Sequence, residues 1–414
     1  MKLTKTELSW ILYDVANSAF ILIVTATIPV YFRSIAEAEG VSVGHVTALF
    51  SGATTIAVLS LALISPILGA IADYQGMKKK LFVLFLSLGL LGGLSLAVVT
   101  QWQAFLILFI LSRIGYSACN VFYDSMLVDV SSDERMDMLS SHGYAWGYIG
   151  STIPFIVGIA LILTTPFGLT IQLATQISFV ITILWWAGFT VPLLKNVKQT
   201  YSIPRQPKII SSSFKRVGIT LRKIVKDKKL FFFILGYFAY INGVYTIMSQ
   251  ATNFGGEVGI DQNLMIVALL VTQFVAFPFA ILAGVLAKKI GPLTMIKIYM
   301  VIYTFVTILG FNLSTATEFW ILAIIVGMAQ GGIQALSRSY FGRLVPKTES
   351  NEYFGFFDIF GKFSDAIGPL FITVSALITG TGRYGILGLI ILFITGFIMI
   401  SIVDKLNKEE LKKV

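Results

Sequence analysis

The chain has 414 residues, 56% hydrophobic and 13% charged, with a net charge of +10 and a mean hydropathy of +0.84. Soluble domains carry about 25% charged residues, so a soluble fold is excluded. A single cysteine, Cys119, inside an apolar run, excludes a disulfide framework and a cysteine metal cluster.

Apolar windows fall at 8–32, 47–72, 81–100, 104–127, 143–163, 172–193, 230–254, 264–287, 296–316, 319–345, 353–378 and 385–403. Each approaches the roughly 20 residues that carry a helix across about 30 Å of hydrocarbon. The chain is therefore predicted to be an all-α membrane protein with twelve transmembrane helices. The first window is too long for a signal-peptide core and lacks a small-x-small cleavage site, so it is expected in the mature protein. The long interruption at 194–229 divides the twelve into two six-helix bundles, 1–193 and 230–403, followed by a tail at 404–414.

With the N-terminus inside, 26 of the 31 lysines and arginines fall on cytoplasmic segments, with Arg33 and Arg383 outside and Arg113, Arg338 and Lys362 within spans. The positive-inside rule then predicts a multi-pass protein of the cell membrane with both termini cytoplasmic. No nucleic-acid partner is expected from the basic excess, because 194–229 alone carries eleven positive charges and one negative. Within that segment Phe214, Val217, Leu221, Ile224 and Val225 recur at helical spacing opposite Lys215, Arg216, Arg222, Lys223 and Lys226. Such a helix is expected to lie on anionic inner-leaflet lipids, or to serve as a plain connector and topology signal.

An offset of 215 residues relates the halves. Gly69, Asp73 and Gly76 after span 2 match Gly284, Lys288 and Gly291 after span 8, and Pro154 matches Pro369. A duplicated six-helix unit is typical of transporters that rock about a site between repeats.

Leaving aside Lys297 and Arg343 at the window ends, seven ionisable residues lie within the windows, namely Asp14, Arg113, Asp124, Arg338, Asp358, Lys362 and Asp365. Each costs about 2.5–3.5 kcal/mol at mid-bilayer on the insertion scale, so each should face a cavity or a partner. On span 1, Asp14, Asn17, Ser18 and Thr25 share one helical face, and Asp14 is a candidate proton carrier or one half of a structural ion pair. Span 11 carries Asp358, Lys362 and Asp365 as one stripe, in which the first two can neutralise each other and Arg338 can reach the third. Arg113 could hold a substrate carboxylate with its guanidinium, or pair with a carboxylate of a neighbouring helix. Asp124 and Arg338, 214 residues apart, occupy nearly equivalent depths and are candidate gate residues. The glycines of span 5 are expected at close helix contacts, and Trp102, Trp185, Trp186 and Trp320 at the membrane interface.

No Walker loop is present, His45 and His142 fall on opposite membrane faces in this topology, and no nucleophile, base or metal cluster suggests an enzyme. No cofactor or metal is expected.

The turn Gly69-Ala-Ile-Ala-Asp73-Tyr-Gln-Gly76-Met-Lys78-Lys79-Lys80 resembles the loop signature of the major facilitator superfamily. Tyr74 and Met77 stand where basic residues are common. There the glycines allow a tight turn, and the carboxylate can face a helix N-terminus of the same bundle. Three more segments resemble the Atg22-like branch of that superfamily. They are Trp10-x-x-Tyr13-Asp14-x-Ala16-Asn17-Ser18-Ala19-Phe20; Phe122-Tyr123 with Ser141-x-Gly143-x-Ala145-x-Gly147-Tyr148-x-Gly150; and Gly331-Gly332-x-Gln334-Ala335-x-Ser337-Arg338. Asp124 and Val128 stand where many relatives have Asn and Pro.

The resemblance implies the major facilitator fold and a monomeric secondary transporter of a small-molecule substrate, with amino-acid efflux as the first expectation. The expected substrate and ion path is Asp14, Asn17, Ser18, Arg113, Asn120, Tyr148, Gln334, Asp358, Lys362 and Asp365. Gly69, Asp73, Gly76, Lys80, Asp124 and Arg338 are expected to gate it. Proton coupling through buried carboxylates is expected. A passive channel, a lipid scramblase or a drug-efflux antiporter of the same fold are the competing readings.

Overall fold

A computed structural model describes residues 2–379 and 381–412, with side chains other than those of residues 253, 257, 262, 263, 364–367, 369, 376 and 411. Among the described residues the structure is helical, apart from one parallel bridge between Tyr74 and Ile203. A backbone that crosses hydrocarbon must satisfy its polar groups within itself, which the helix does.

The first window is met by two helices, α1 (Lys5–Ala26) and α2 (Ile28–Ala38). Thr4 and Glu7 cap α1 reciprocally, and Pro29, near the start of α2, follows the break at Thr27. Proline lacks the N–H that would continue the ladder. There follow α3 (Val43–Ala72), α4 (Lys78–Ser95), α5 (Trp102–Val130), α6 (Met136–Thr164) and α7 (Ile171–Asn196). The interruption at 194–229 contains α8 (Ile209–Lys226). The rest of the chain forms α9 (Lys228–Glu257), α10 (Gln262–Ile290), α11 (Pro292–Phe311), α12 (Ala316–Leu344), α13 (Ser350–Lys362), α14 (Ser364–Thr379) and α15 (Arg383–Leu411).

Among the described residues, ten of these helices are long and apolar enough to cross a membrane. The other two windows fall on α4, which opens with three lysines, and on the pair α13 and α14. Window 81–100 is helical only as far as Ser95. Each predicted window thus meets helix, in the order that an all-α twelve-helix fold requires.

Two compact units divide the chain. Unit 1 holds Met1–Val130, Trp146–Ser213 and Lys347–Gly355; unit 2 holds Ser131–Ala145, Phe214–Pro346 and Phe356–Val414. The expected linker 194–229 is therefore shared, and each unit takes one short segment from the other half of the sequence. Those segments, 131–145 and 347–355, overlap when shifted by the 215-residue offset.

In unit 1, α1 packs on α7, and α4 and α3 on α5. Between lipid-soluble helices the hydrophobic effect supplies little attraction, so close backbone contact matters. A Cβ on Gly115 of α5 would meet the Gly89 Cα of α4 at 2.6 Å, so both positions must stay bare. Trp186 packs at a tilt on Phe20 and edge-on to Tyr116, fully buried. It is a core residue of α7 and not an interfacial anchor, because ten more residues of helix follow it, ending at Asn196. In unit 2, α10 packs on α12, and α15 on α9 and α11, around aromatic pairs such as Tyr237 with Phe357 and Tyr303 with Phe393.

Candidate functional site

The polar face of α1 meets α5 inside unit 1. Tyr123 donates its hydroxyl to Asp14 Oδ2 at 2.6 Å, and its ring stacks on Trp10 at 4.6 Å between centroids. Trp10 in turn donates its indole N–H to the Tyr123 carbonyl. Three residues along α1, Asn17 Nδ2 donates to Asn120 Oδ1 at 2.9 Å, and Ser18 donates to Asn17 Oδ1 at 3.3 Å. Asp14 and Asn17 are buried. Bare positions on α6 let it close on this face, since a Cβ on Gly147 would meet the Ser18 hydroxyl at 2.9 Å. Tyr148 beside it is half-buried.

Arg113 lies on α5 seven residues before Asn120. Its Nε and Nη1 are buried with no acceptor among the described residues, and its guanidinium carbon lies 5.6 Å from the Tyr116 ring centre.

In unit 2, Arg338 is 2% exposed. It donates through Nε to Ser140 Oγ at 2.9 Å and through Nη2 to the Ser140 carbonyl at 3.2 Å, with its guanidinium carbon 4.3 Å from the Tyr144 ring centre. Gln334, one turn earlier on α12, is buried and donates to Met248 Sδ at 3.7 Å. Lys362 and Asp358 form the expected intrahelical ion pair. The Asp365 side chain lies outside the described residues. Asp124 belongs to unit 1 and Arg338 to unit 2.

The turn after α3 is built around Asp73, which is 1% exposed. Asp73 Oδ1 accepts the Asn351 backbone N–H at 2.9 Å and its side-chain N–H at 2.8 Å, and Oδ2 accepts the Glu352 N–H at 3.2 Å. A carboxylate on the first turn of a helix meets unsatisfied amides and the positive end of the dipole. The helix is α13, from the second half of the sequence, and not one of the same six-helix half. Its segment 347–355 nevertheless belongs to unit 1. Gly69 permits the crossing, because a Cβ there would lie 2.2 Å from the Asn351 carbonyl oxygen. Gly76 supplies the turn with φ +72°. Ser125 closes the cluster by bonding Asn351.

Sequence reasoning missed the next layer. Of the three lysines after the turn, Lys80 is exposed and Lys78 is buried, donating to Asp129 Oδ2 at 2.5 Å. Asp129 Oδ1 also accepts the N–H groups of Thr200 and Tyr201 at 2.8 and 3.0 Å. Gln199 accepts from the Gly76 N–H at 2.9 Å and donates to the Ala72 carbonyl at 3.0 Å. Residues 197–205 thus form a strap across the Asp73 turn. An acidic residue at the end of span 4, opposite a lysine run, was the available signal.

Comparison with known proteins identifies the family. Residues 4–136 and 128–411 match the family described as vacuole effluxer Atg22 like. The chain is 45% identical over 412 residues to the MFS-type transporter YxiO of Bacillus subtilis (strain 168), covering 98% of this chain and 96% of that one. It is 26% identical over 479 residues to autophagy-related protein 22 of Vanderwaltozyma polyspora, covering 98% and 92% of the two chains. In fold it is similar to the human organic anion transporter MFSD10 (TETRAN), with a TM-score of 0.70 at 14% identity over 96% of this chain and 99% of that one. The transporter FucP gives a TM-score of 0.71 at 12% identity, with 96% and 98% covered. The chain belongs to the Atg22-like family and is a multi-pass membrane transporter of the major facilitator superfamily, not an enzyme.

Proposed function

We propose that the protein exports a small solute bearing a carboxylate, with amino acids as the first class to test, by alternating access of its two halves. The observation that carries this reading is Arg113, whose guanidinium holds two buried N–H-bearing atoms without acceptors among the described residues. A carboxylate would satisfy them with charge-assisted bonds. Asn17, Ser18, Asn120 and Tyr148 on the neighbouring faces, with Gln334, Asp358, Lys362 and Asp365 from the second half, supply the rest of the path. The efflux direction rests on the family description of a vacuole effluxer. A passive channel or scramblase is not favoured by membership of this family.

Proton coupling is assigned to Asp14. A proton taken up there alters the bond it accepts from Tyr123, whose ring is fixed by Trp10, so the change passes from α1 to α5. Gly69, Asp73, Gly76, Lys80, Asp124 and Arg338 serve as gate residues in this reading, and charge reversal at both Asp124 and Arg338 tests that pair. In this reading the protein acts as a monomer in the cell membrane, and the lysine and arginine distribution supports cytoplasmic termini.

Counterflow in proteoliposomes tests the site. Arg113→Ala is expected to raise the KM for anionic and zwitterionic solutes at least about tenfold, the loss of roughly one charged hydrogen bond, while Arg113→Lys retains part of the affinity. Unaltered KM in Arg113→Ala overturns the assignment. Asp14→Asn is expected to abolish flux driven by a pH gradient while leaving exchange intact.

A further inference from the structure

The helix α8 presents three distinct sides. Ser213, Thr220 and Ile224 are buried at 0%, 2% and 4% exposure. Ile210, Phe214, Leu221 and Val225 form a second side, exposed at 64%, 57%, 47% and 57%. At 3.6 residues per turn these four positions fall within about 60° of arc. Lys215, Arg222 and Lys226, all exposed, lie together on the third side, next to the apolar stripe.

A stripe of four large apolar residues in water is unfavourable, by about 25 cal/mol for each Å² left exposed. Connectivity decides what can cover it. Lys226 ends α8 and Lys228 begins α9, a membrane-crossing helix whose first turn is capped by Asp227 through the Leu230 N–H at 3.1 Å. The C-terminal end of α8 is therefore one residue from a span, at the level of the lipid headgroups. An apolar side next to a cationic side, at that depth, is the pattern of a helix lying in an interface rich in negative charge.

We propose that α8 docks on the anionic phospholipid surface of its own bilayer, with Ile210, Phe214, Leu221 and Val225 entering the acyl boundary and Lys215, Arg222 and Lys226 meeting phosphates. The proposal deepens the reading of 194–229 as the lipid-facing cytoplasmic segment and is independent of the transported solute. It also gives the strap a second anchor, since the strap bonded to the Asp73 turn at 199–205 leads directly into α8.

The test uses the full chain with Leu221→Cys, labelled with an environment-sensitive fluorophore; Cys119 is buried and stays unlabelled. The protein is reconstituted into phosphatidylcholine vesicles or into vesicles containing phosphatidylglycerol, each carrying a nitroxide-labelled lipid as quencher. Gln206→Cys, in the exposed segment before α8, reports the aqueous reference. Docking predicts strong quenching at Leu221 in anionic vesicles only. Replacing Lys215, Arg222 and Lys226 with Gln should lower the docked-to-undocked ratio by about a hundredfold, at roughly one kcal/mol per cation. An aqueous probe in both vesicle types overturns the docking. Equal quenching in both overturns the role of the anionic headgroups. Neither readout requires transport, so it stands apart from any failure to find a substrate.

Discussion

The turn after α3 and the turn after α10 stand 215 residues apart and share two glycines, Gly69 and Gly76 against Gly284 and Gly291. Both glycine pairs serve the same geometry. Gly69 faces Asn351 at the start of α13, and Gly284 faces Met138 and Ser141 at the start of α6. The chemistry between the glycines differs. In unit 1 the residue is Asp73, buried on the α13 amides; in unit 2 it is Lys288, which is exposed. A helix N-terminus attracts a carboxylate and repels an ammonium, so the duplicated turn cannot form the same cap twice. Unit 2 instead holds the start of α6 through side chains of α12. Arg343 Nη1 reaches Asp137 at 2.9 Å, Ser339 donates to Asp137 at 2.5 Å, and Arg338 binds Ser140. A repeat can thus keep a backbone crossing while exchanging the electrostatics that fasten it.

The largest expected effect separates the two glycines. Gly69→Ala forces a Cβ to 2.2 Å from a backbone oxygen and should destabilise the protein by about 3 kcal/mol, as overpacking does. Gly284→Ala meets mainly the Ser141 side chain, at 2.9 Å, and should cost about 1 kcal/mol. Thermal unfolding in detergent measures both, and equal losses would erase the difference between the crossings. Next, Asp73→Ala leaves the Asn351 and Glu352 amides without their acceptor and is expected to cost about 2 kcal/mol. Lys288→Ala, at an exposed site, should stay within about 0.5 kcal/mol. A large loss in the second variant would show that Lys288 fastens α6 after all.

Smaller effects sharpen the same contrast. A double-mutant cycle on Asp137 and Arg343, which are 15% and 20% exposed, should give a coupling of about 1 kcal/mol, because solvent screens part of the attraction. Gln199→Ala is expected to cost about 1 kcal/mol for its lost bonds to the turn. Hydrogen exchange should then rise at Gly76, while the corresponding turn at 288–291 is unchanged.

Much of this was legible in the chain itself. The twelve apolar windows, the offset of 215 and the glycine–aspartate turn point to fold and superfamily, because a span needs a fixed length of apolar helix and a close crossing needs a bare Cα. The ion pair of Asp358 with Lys362 followed from helical spacing alone. By contrast, the partners of Asp73 lie 278 and 279 residues away, and although Asn351 and Glu352 suit the start of a helix, nothing in them points to Asp73. Lys78, not Lys80, is the buried cation because its position on α4 faces Asp129, a register that three consecutive lysines do not disclose.

What the sequence by itself determined is the order of the apolar helical segments and the positions of charge in them, since solvation by lipid acts residue by residue. Only the tertiary structure decided which charges are satisfied. Arg338 found Ser140 and Tyr144, Asp14 found Tyr123, and the buried Nε and Nη1 of Arg113 found no acceptor among the described residues. Pairing depends on which helices meet and at what depth, and that is set by packing between segments far apart in the chain.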